Sequence, residues 1–294
     1  MNHQTFVEAE IASQPQTWRQ AAQLAPSVGG ALPQDGQRVA VVGCGTSWFI
    51  AQAYAVLRES AGHGVTDAFA GSEFPAGRDY DFIVAITRSG TTTEIIDLVR
   101  AATDTTTVVL TAVPTAEAAR VADHVIDLSF ADEQSVVQTR FATTALALLR
   151  AHLGTDIEPL AADAEQALTI DVADLATAEQ VSFLGRGWTI GLANEAALKA
   201  REAAQFWTEA YPAMDYRHGP IAIAEEGRLV WMFGQAPAGL DAEVAARGAL
   251  FVHHDLDPMA ALIVAQRFAV ALAVRFGLDP DRPRALTRSV ILQP

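Results

Sequence analysis

The chain has a single cysteine, Cys44, among its 294 residues. One cysteine cannot form an internal disulfide, and its presence alone fits a reducing compartment. The amino terminus, "MNHQTFVEAEIASQ", lacks the basic start and the apolar core of a secretory signal. The longest apolar run, Met259–Val274, contains Gln266 and Arg267, so it is too short and too polar to predict a membrane span. We therefore expect a cytoplasmic protein that has no membrane partner.

Positive charge is also scarce. Twenty Lys and Arg residues stand against 35 Asp and Glu residues, which gives a formal net charge of −15. Such a chain repels a polyanion, and no basic stretch compensates locally, so nucleic acid is not an expected partner. A small anion can still bind where backbone dipoles, hydroxyls and a few cations converge.

Strands alternate with helices along the sequence, which is typical of parallel sheets covered by helices on both faces. Two segments, "RVAVVGCGTS" from Arg38 and "VSFLGRGWT" from Val181, each predict a strand, a Gly-x-Gly turn and a helix. They indicate a duplicated α/β unit with a smaller second copy. We predict a helical segment over 1–30, a first α/β domain over 31–155, a linker over 156–178 and a second α/β domain over 179–294. Within the second domain, a long helix is predicted from about Ala193 to Ala210.

The turn "GCGTS" (Gly43–Ser47) follows the first strand. Glycine lets a ligand approach the backbone closely, but a tight turn without a ligand explains this motif equally well. Trp48 occupies the position of the third glycine of the dinucleotide-binding pattern, and no acidic residue follows the second strand at the expected place. A nicotinamide-dependent dehydrogenase is therefore not favoured.

The stretch "TRSGTTTE" follows another predicted strand and opens a helix. A helix cap needs one hydroxyl, whereas this stretch has five: Thr87, Ser89, Thr91, Thr92 and Thr93. Free N–H groups at a helix N-terminus attract anions, and Arg88 can add a charge-assisted contact. Because the Gly-Lys-Ser/Thr of a nucleotide-binding loop is absent, the stretch predicts a site for one phosphate monoester.

A second group of polar residues lies in "NEAALKAREAAQFW". Glu195, Lys199 and Glu202 share one helix face by their spacing. A solvated ion-pair stripe is the ordinary explanation, but the alanines and large apolar residues around them favour buried proton-transfer groups. His218 follows in the loop "YRHGP", and loops of this kind often carry function. The pair His253–His254 lacks further ligands at metal-binding spacing, so no metal or other cofactor is predicted.

Together these motifs resemble the sugar isomerase (SIS) domain family, in particular its double-domain members. The matching segments, in order, are "EIASQP", "GCGTS", "TRSGTTTE", "EAALKARE", the "EAY" and "RHGP" pair, and the tail "DPDRPRALTRSV". The isomerase half of glucosamine-6-phosphate synthase and related phosphosugar isomerases and deaminases are the nearest likeness. The resemblance implies two tandem SIS domains, each a three-layer α/β/α unit.

The resemblance also implies roles for individual residues. Glu202 would move a proton between C1 and C2 of the sugar through an enediol or enediolamine, supported by Lys199 and Glu195. His218 would open the sugar ring and reach into the partner's site, which implies a homodimer. The residues that would hold the 6-phosphate or lie beside the sugar are Thr46, Ser47, Thr87, Arg88, Ser89, Thr92, Val136 and Gln138.

Two departures from the family pattern bear on the reaction. The usual "SQSGET" is "TRSGTT" here, which strengthens the predicted anion site. The tail lysine that meets the sugar carbonyl in the synthase is replaced by Arg288, which can orient an open-chain sugar but stays protonated and forms no imine. The chain starts at the linker helix, so we expect no glutaminase domain and no synthesis from glutamine.

The motifs leave several functions open. Aldose–ketose isomerisation of a 6-phosphorylated hexose or hexosamine and deaminating isomerisation of an amino sugar phosphate begin with the same proton transfer. A non-catalytic phosphosugar sensor is the alternative, since such a protein would keep the Thr87–Thr92 stretch but would not need Glu202 and His218 together.

Overall fold

The computed structural model describes residues 4–75 and 77–292. Its helices are α1 Phe6–Ala12, α2 Gln14–Val28, α3 Thr46–Ser60, α4 Thr93–Ala101, α5 Glu117–Val121, α6 Arg140–His152, α7 Glu158–Ala167, α8 Thr189–Ala204, α9 Leu240–Ala245 and α10 Pro258–Arg275. Its strands are β1 Val39–Gly43, β2 Thr66–Ala70, β3 Phe82–Ile86, β4 Thr106–Thr111, β5 His124–Asp127, β6 Gln180–Gly185, β7 Thr208–Pro212, β8 Arg228–Met232 and β9 Leu250–His253.

The chain divides into two compact units, each with its own parallel sheet. The first-sheet unit comprises Gln16–Gln134, Gln138–Glu158 and the chain from Thr287. The second-sheet unit comprises the chain up to Pro15, Ser135–Val137 and Pro159–Leu286. Both sheets are flanked by helices, as the sequence predicted, and the second is the smaller.

In the first-sheet unit the strand order is β2-β1-β3-β4-β5, and every neighbouring pair is parallel. All residues of β1 ("VAVVG") and β3 ("FIVAI") are buried, which is the pattern of a sheet covered on both faces. One face packs Val42 and Ala85 against Ile95 and Val99 of α4. The helices α3 and α6 pack against each other, and α3 also packs on β1.

The second-sheet unit has the strand order β7-β6-β8-β9, again all parallel. Its main helix pair is α8 with α10. The length of α10 and its mean hydropathy of 1.5 would allow a membrane span, contrary to the expectation from the sequence. However, 72% of that helix is buried within the protein, which is the environment of a core helix.

Several predicted boundaries differ from the structure. The helix α8 begins at Thr189 and ends at Ala204, and residues 208–210, predicted as its end, belong to the edge strand β7. Gln205 ends the helix in a left-handed conformation with φ of 52°. Glutamine rarely adopts this conformation, so no residue type in the sequence marks the break.

The domain limits differ as well. The predicted linker contains α7, and residues 159–178 belong to the second-sheet unit. The predicted N-terminal segment is divided, because α1 belongs to the second-sheet unit and most of α2 to the first. The tail from Thr287, predicted in the second domain, belongs to the first-sheet unit.

Candidate functional site

The two predicted phosphate-binding loops lie next to each other at the edge of the first sheet. Strands β1 and β3 are neighbours although β2 lies between them in sequence, so the strand order reverses there. Val42 and Ala85 pair directly before the two loops. Ligands of open parallel sheets bind beyond the carboxyl ends of the strands near such a reversal. The topology therefore places "GCGTS", the first loop, and "TRSGTT", the second loop, where a ligand is expected.

The first loop presents buried hydroxyls at a helix N-terminus. Thr46 and Ser47 begin α3, and both are buried. A Cβ on Gly43 would lie 2.5 Å from the backbone carbon of Ser47, so the start of α3 lies directly on the end of β1. Burial raises the pKa of the Cys44 thiol, and Glu94 raises it further, which disfavours a nucleophilic thiolate.

The second loop has its hydroxyl groups near the first turn of α4. Thr92 is the N-cap residue, but its side chain does not cap the helix. Ser89 Oγ instead accepts hydrogen bonds from the Thr91 N–H, at 3.2 Å, and from Thr91 Oγ1, at 3.0 Å. Gly90 has φ of +66°, and a Cβ there would lie 2.6 Å from that of Ala116. The surplus threonines are thus not explained by capping, which favours a role in binding.

Arg88 points away from solvent and forms an ion pair. Its Nη1 lies 3.2 Å from Glu133 Oε2, and the side chains of the two residues are 2% and 0% exposed. Glu133 Oε1 accepts hydrogen bonds from the Thr139 N–H at 2.6 Å and the Arg140 N–H at 2.8 Å, at the start of α6. Glu133 could not be identified from the sequence, because its partner Arg88 is 45 residues away and no local pattern links them.

The tail packs against the second loop. Thr91 Oγ1 lies within hydrogen-bond distance of Ser289 Oγ at 3.0 Å, and the Thr93 N–H donates to the Val290 carbonyl at 3.3 Å. Arg288 donates to the carbonyl of Glu133 and pairs with Asp132. The predicted sugar-orienting Arg288 therefore lies in the first-sheet unit, in the same unit as the predicted phosphate-binding residues.

The predicted sugar-side residues Val136 and Gln138 precede α6. Within the described part of the chain, Oε1 of Gln138 is buried and accepts no hydrogen bond, so it can accept one from a ligand hydroxyl. The segment with Val136 is anchored by the buried carboxylate of Glu10, which accepts hydrogen bonds from the N–H and the hydroxyl of Ser135.

In the second-sheet unit the Gly-x-Gly turn after β6 repeats the backbone arrangement of "GCGTS". A Cβ on Gly185 would lie 2.3 Å from the carbonyl oxygen of Thr189 at the start of α8. Thr189 Oγ1 accepts from the Arg186 N–H at 2.8 Å and donates to the Phe233 carbonyl at 2.9 Å. Because its hydroxyl bonds the backbone, this turn does not repeat the predicted phosphate site.

Helix α8 carries the predicted proton-transfer group. Lys199 Nζ lies 2.5 Å from Glu202 Oε2 and 3.4 Å from Glu195 Oε1. Lys199 and Glu195 are 1% exposed, whereas the side chain of Glu202 is 18% exposed. Burial lowers the pKa of the neighbouring Arg201, and the two glutamates raise it. The solvated-stripe explanation is wrong, since two of the three side chains are buried.

His218 lies in an exposed 3-10 turn, Asp215–His218. The neighbouring residues fix this turn, because Tyr216 is fully buried and Arg217 pairs with Glu243 at 2.9 Å. Gly219, with φ of +147°, directs the chain into the next turn, Pro220–Ile223. The structure thus presents the His218 imidazole to solvent on a well-anchored loop.

Comparison with protein families gives a match over residues 34–153 to the family described as the SIS domain. This range covers most of the first-sheet unit. Counted within its own unit, the four-stranded second sheet repeats the order of the first four strands of the first sheet, but a second SIS domain stays a prediction.

Several known proteins with similar sequences or folds carry the names of enzymes. A glutamine–fructose-6-phosphate aminotransferase (isomerizing) of Pyrobaculum aerophilum is 30% identical over 98% of this chain and 58% of that protein. The C-terminal domain of glucosamine-fructose-6-phosphate aminotransferase from Francisella tularensis superposes with a TM-score of 0.82 at 22% identity, over 96% of this chain and 99% of that domain. Glucosamine-6-phosphate deaminase from Thermotoga maritima gives a TM-score of 0.80 at 21% identity, over 98% of this chain and 100% of that chain.

The two structural comparisons establish the fold alone, since both identities are below 25%. The chain spans about half the length of the first curated relatives that it matches, since the matched regions cover 51% and 50% of those proteins.

Proposed function

We propose that this chain, whose residues 34–153 match the SIS domain family, is a cytoplasmic phosphosugar isomerase that acts on a 6-phosphorylated hexose or hexosamine. The observation that carries the proposal is the buried group on α8. Lys199 lies between two carboxylates, and only Glu202 of the three is partly exposed and so open to a substrate. The chain also has a loop rich in hydroxyls at the end of β3. The N-termini of α3 and α4 have N–H groups that can bind an anion.

The proposed reaction is a proton transfer between neighbouring carbons. Glu202 removes the proton from the carbon next to the sugar carbonyl, and the carbonyl oxygen takes up a proton from water, which gives an enediol or, with an amino sugar, an enediolamine. The same carboxyl then returns the proton to the former carbonyl carbon. Lys199 holds Glu202 in place by a contact of 2.5 Å and balances its charge, while Glu195 fixes Lys199 from the other side. His218 assists the opening of the sugar ring.

The proposed reaction uses no imine between protein and sugar. Arg288 occupies the tail position of the synthase lysine and cannot form one. Lys199 is the only lysine in the sequence, and its amine is buried between two carboxylates. If the substrate carries an amine, protonation of the enediolamine at C1 gives an imine of the sugar itself at C2. Water hydrolyses this imine to the ketose and ammonia, which is the deaminating form of the same isomerisation.

The decisive experiment is incubation of the purified protein with glucosamine-6-phosphate, galactosamine-6-phosphate and fructose-6-phosphate. Ketose or aldose formation and ammonia release are followed in parallel. Turnover with ammonia supports the deaminating reaction, and turnover without it supports simple isomerisation. Binding of a sugar phosphate without any turnover would contradict the proposal and support a non-catalytic sensor.

The role of Glu202 is tested by Glu202→Gln. The amide has nearly the same shape but cannot accept the proton, so we expect turnover to fall by about 100-fold or more while sugar phosphate binding is retained. Calorimetric titration measures the binding and a coupled assay measures the turnover. Glu59→Gln, on the exposed face of α3 near its end, is the matched control and should change neither. Normal turnover in Glu202→Gln would show that another residue is the base.

A further inference from the structure

We infer that Arg88 is a positioning residue whose positive charge is balanced by Glu133 and is not used to bind the substrate phosphate. The inference deepens the proposed function and rests on it, because it concerns how the phosphate of the substrate is held. It also changes the role that the sequence resemblance implies for Arg88, from a phosphate ligand to a structural link beneath the loop.

Burial of the ion pair between Arg88 and Glu133 disfavours a direct contact between Arg88 and the phosphate. The Arg88 and Glu133 side chains are 2% and 0% exposed and lie 3.2 Å apart. A buried charge that loses its partner is strongly unfavourable. A phosphate that recruited Arg88 would leave Glu133 as an uncompensated carboxylate in the same buried place, so the pair resists such an exchange.

Glu133 is itself held by several hydrogen bonds. Its Oε1 accepts from the N–H of Thr139, the N–H of Arg140 and, at 3.0 Å, the hydroxyl of Thr139. A carboxylate at this position also interacts favourably with the dipole of α6, a helix of 13 residues. Glu133 therefore acts as a fixed anchor to which Arg88 ties the second loop.

The Arg88–Glu133 pair joins three segments of the first-sheet unit. Arg88 Nη2 donates to the carbonyl of Arg288 at 3.5 Å, and Arg288 donates to the carbonyl of Glu133. The carbonyl of Arg88 accepts from the Ala112 N–H at 3.1 Å and from Thr111 Oγ1 at 3.2 Å at the end of β4. These contacts define the Arg88–Glu133 link, which connects the second loop, the start of α6 and the tail.

Without the charge of Arg88, the phosphate is held by neutral groups. The hydroxyls of Ser47, Ser89 and Thr92 and the N–H groups at the starts of α3 and α4 remain for this purpose. Backbone N–H groups and hydroxyls are sufficient to bind one phosphate monoester at a helix N-terminus. In so acidic a chain, this binding is expected to depend only weakly on ionic strength compared with binding by an unpaired arginine.

The test is a double-mutant cycle in the full chain with Arg88→Gln, Glu133→Gln and the double variant. Each single variant leaves one buried charge without its partner, so we expect its Tm to fall by roughly 10 °C. The double variant removes both charges and should regain most of this loss. Its Kd for fructose-6-phosphate, and for inorganic phosphate as the simpler probe, should stay within about threefold of wild type at low and at moderate salt.

Ser89→Ala is the comparison variant for direct binding, with an expected loss of about tenfold in phosphate affinity and little change in Tm. A double variant that regains its Tm but binds phosphate tenfold more weakly or worse would overturn the inference, because Arg88 would then serve the anion. A double variant less stable than either single variant would overturn it as well.

Failure of the proposed function has a different signature. A wild-type protein that binds inorganic phosphate but neither binds nor turns over any sugar phosphate contradicts the isomerase proposal. The double-mutant cycle, in which Tm and the Kd for inorganic phosphate are measured, then still decides the role of Arg88.

Discussion

Lys199 shows how one side chain can depend on its neighbours. It is the only lysine of the chain, it is 1% exposed, and it contacts a carboxylate on either side along α8. An ammonium is a compact charge with three donors, which suits a position between two glutamates that each lie about one helical turn from it. Its burial means that neither glutamate can lose it without remaining as a poorly solvated negative charge.

Lys199→Met tests this arrangement. We expect the free energy of unfolding to fall by about 3–5 kcal/mol, because Glu195 loses its buried partner. Turnover with the active sugar phosphate should fall by roughly 100-fold or more, because Glu202 loses the group that orients it. Urea unfolding and initial rates measure the two effects. Lys199→Arg keeps the charge and serves as the control, and unchanged rates in Lys199→Met would contradict the supporting role.

At the residue scale the sequence predicted the α8 group but not the Arg88 pair. Spacings of four and three place Glu195, Lys199 and Glu202 on one helix face, so a local pattern was sufficient. Glu133 lies 45 residues from Arg88, and their contact exists only because β3 and the segment before α6 meet in the folded unit.

At the scale of elements, the two Gly-x-Gly turns have the same physical cause. In each, the first turn of a helix lies on the last residue of a buried strand, and only glycine leaves the space. The surrounding atoms are backbone atoms of Ser47 in one turn and Thr189 in the other, so they cannot yield as a flexible side chain would. This explains why both glycine patterns correctly predicted a strand followed by a helix.

Gly43→Ala should therefore disturb the first loop. A new Cβ at 2.5 Å from the Ser47 backbone forces α3 away from β1, with an expected cost of about 1–3 kcal/mol. Because Thr46 and Ser47 move with the helix, sugar phosphate affinity should fall as well. Thermal melts and calorimetric titration measure both. Gly30→Ala, where no atom lies within 4 Å of the added Cβ, is the control and should be neutral in both measurements.

Two elements could not be located from sequence. The strand β7 follows a helix that ends at Gln205 without glycine, asparagine or proline to mark the break. The helix α6 begins at Arg140, where Glu133 accepts hydrogen bonds from the N–H groups of Thr139 and Arg140 and so defines the start. For β7 the local pattern favoured a longer helix, and for α6 the carboxylate that defines the start lies six and seven residues before the bonded N–H groups.

At the scale of the whole molecule, the predicted functional residues are distributed over both compact units. The hydroxyl-rich loops, Gln138 and Arg288 belong to the first-sheet unit, and the α8 group, Val136 and His218 belong to the second-sheet unit. His218 is exposed on an anchored loop, which is compatible with the predicted role of a residue that serves a partner's site. A homodimer remains a proposal that can be tested directly.

The test combines two inactive variants, Glu202→Gln and His218→Asn. If His218 acts in the partner's site, a mixed dimer has one site with both residues intact. Equal mixing after reversible dissociation should then restore about a quarter of wild-type turnover, because half of the dimers are mixed and each has one active site. Mixing each variant with itself is the control. No recovery, with mixed dimers verified by mass spectrometry, would show that His218 acts in its own chain.

The sequence alone determined those features that depend on short-range patterns. Buried runs of β-branched residues, Gly-x-Gly turns and a helical spacing of charges specify strands, strand–helix turns and the face of α8, because each rests on residues within a few positions. Only the tertiary structure decided that Arg88 pairs with Glu133, that the tail packs on the second loop and that α10 is a core helix. Those contacts join residues 45 to 200 positions apart, and their free energies depend on burial, which no local pattern encodes.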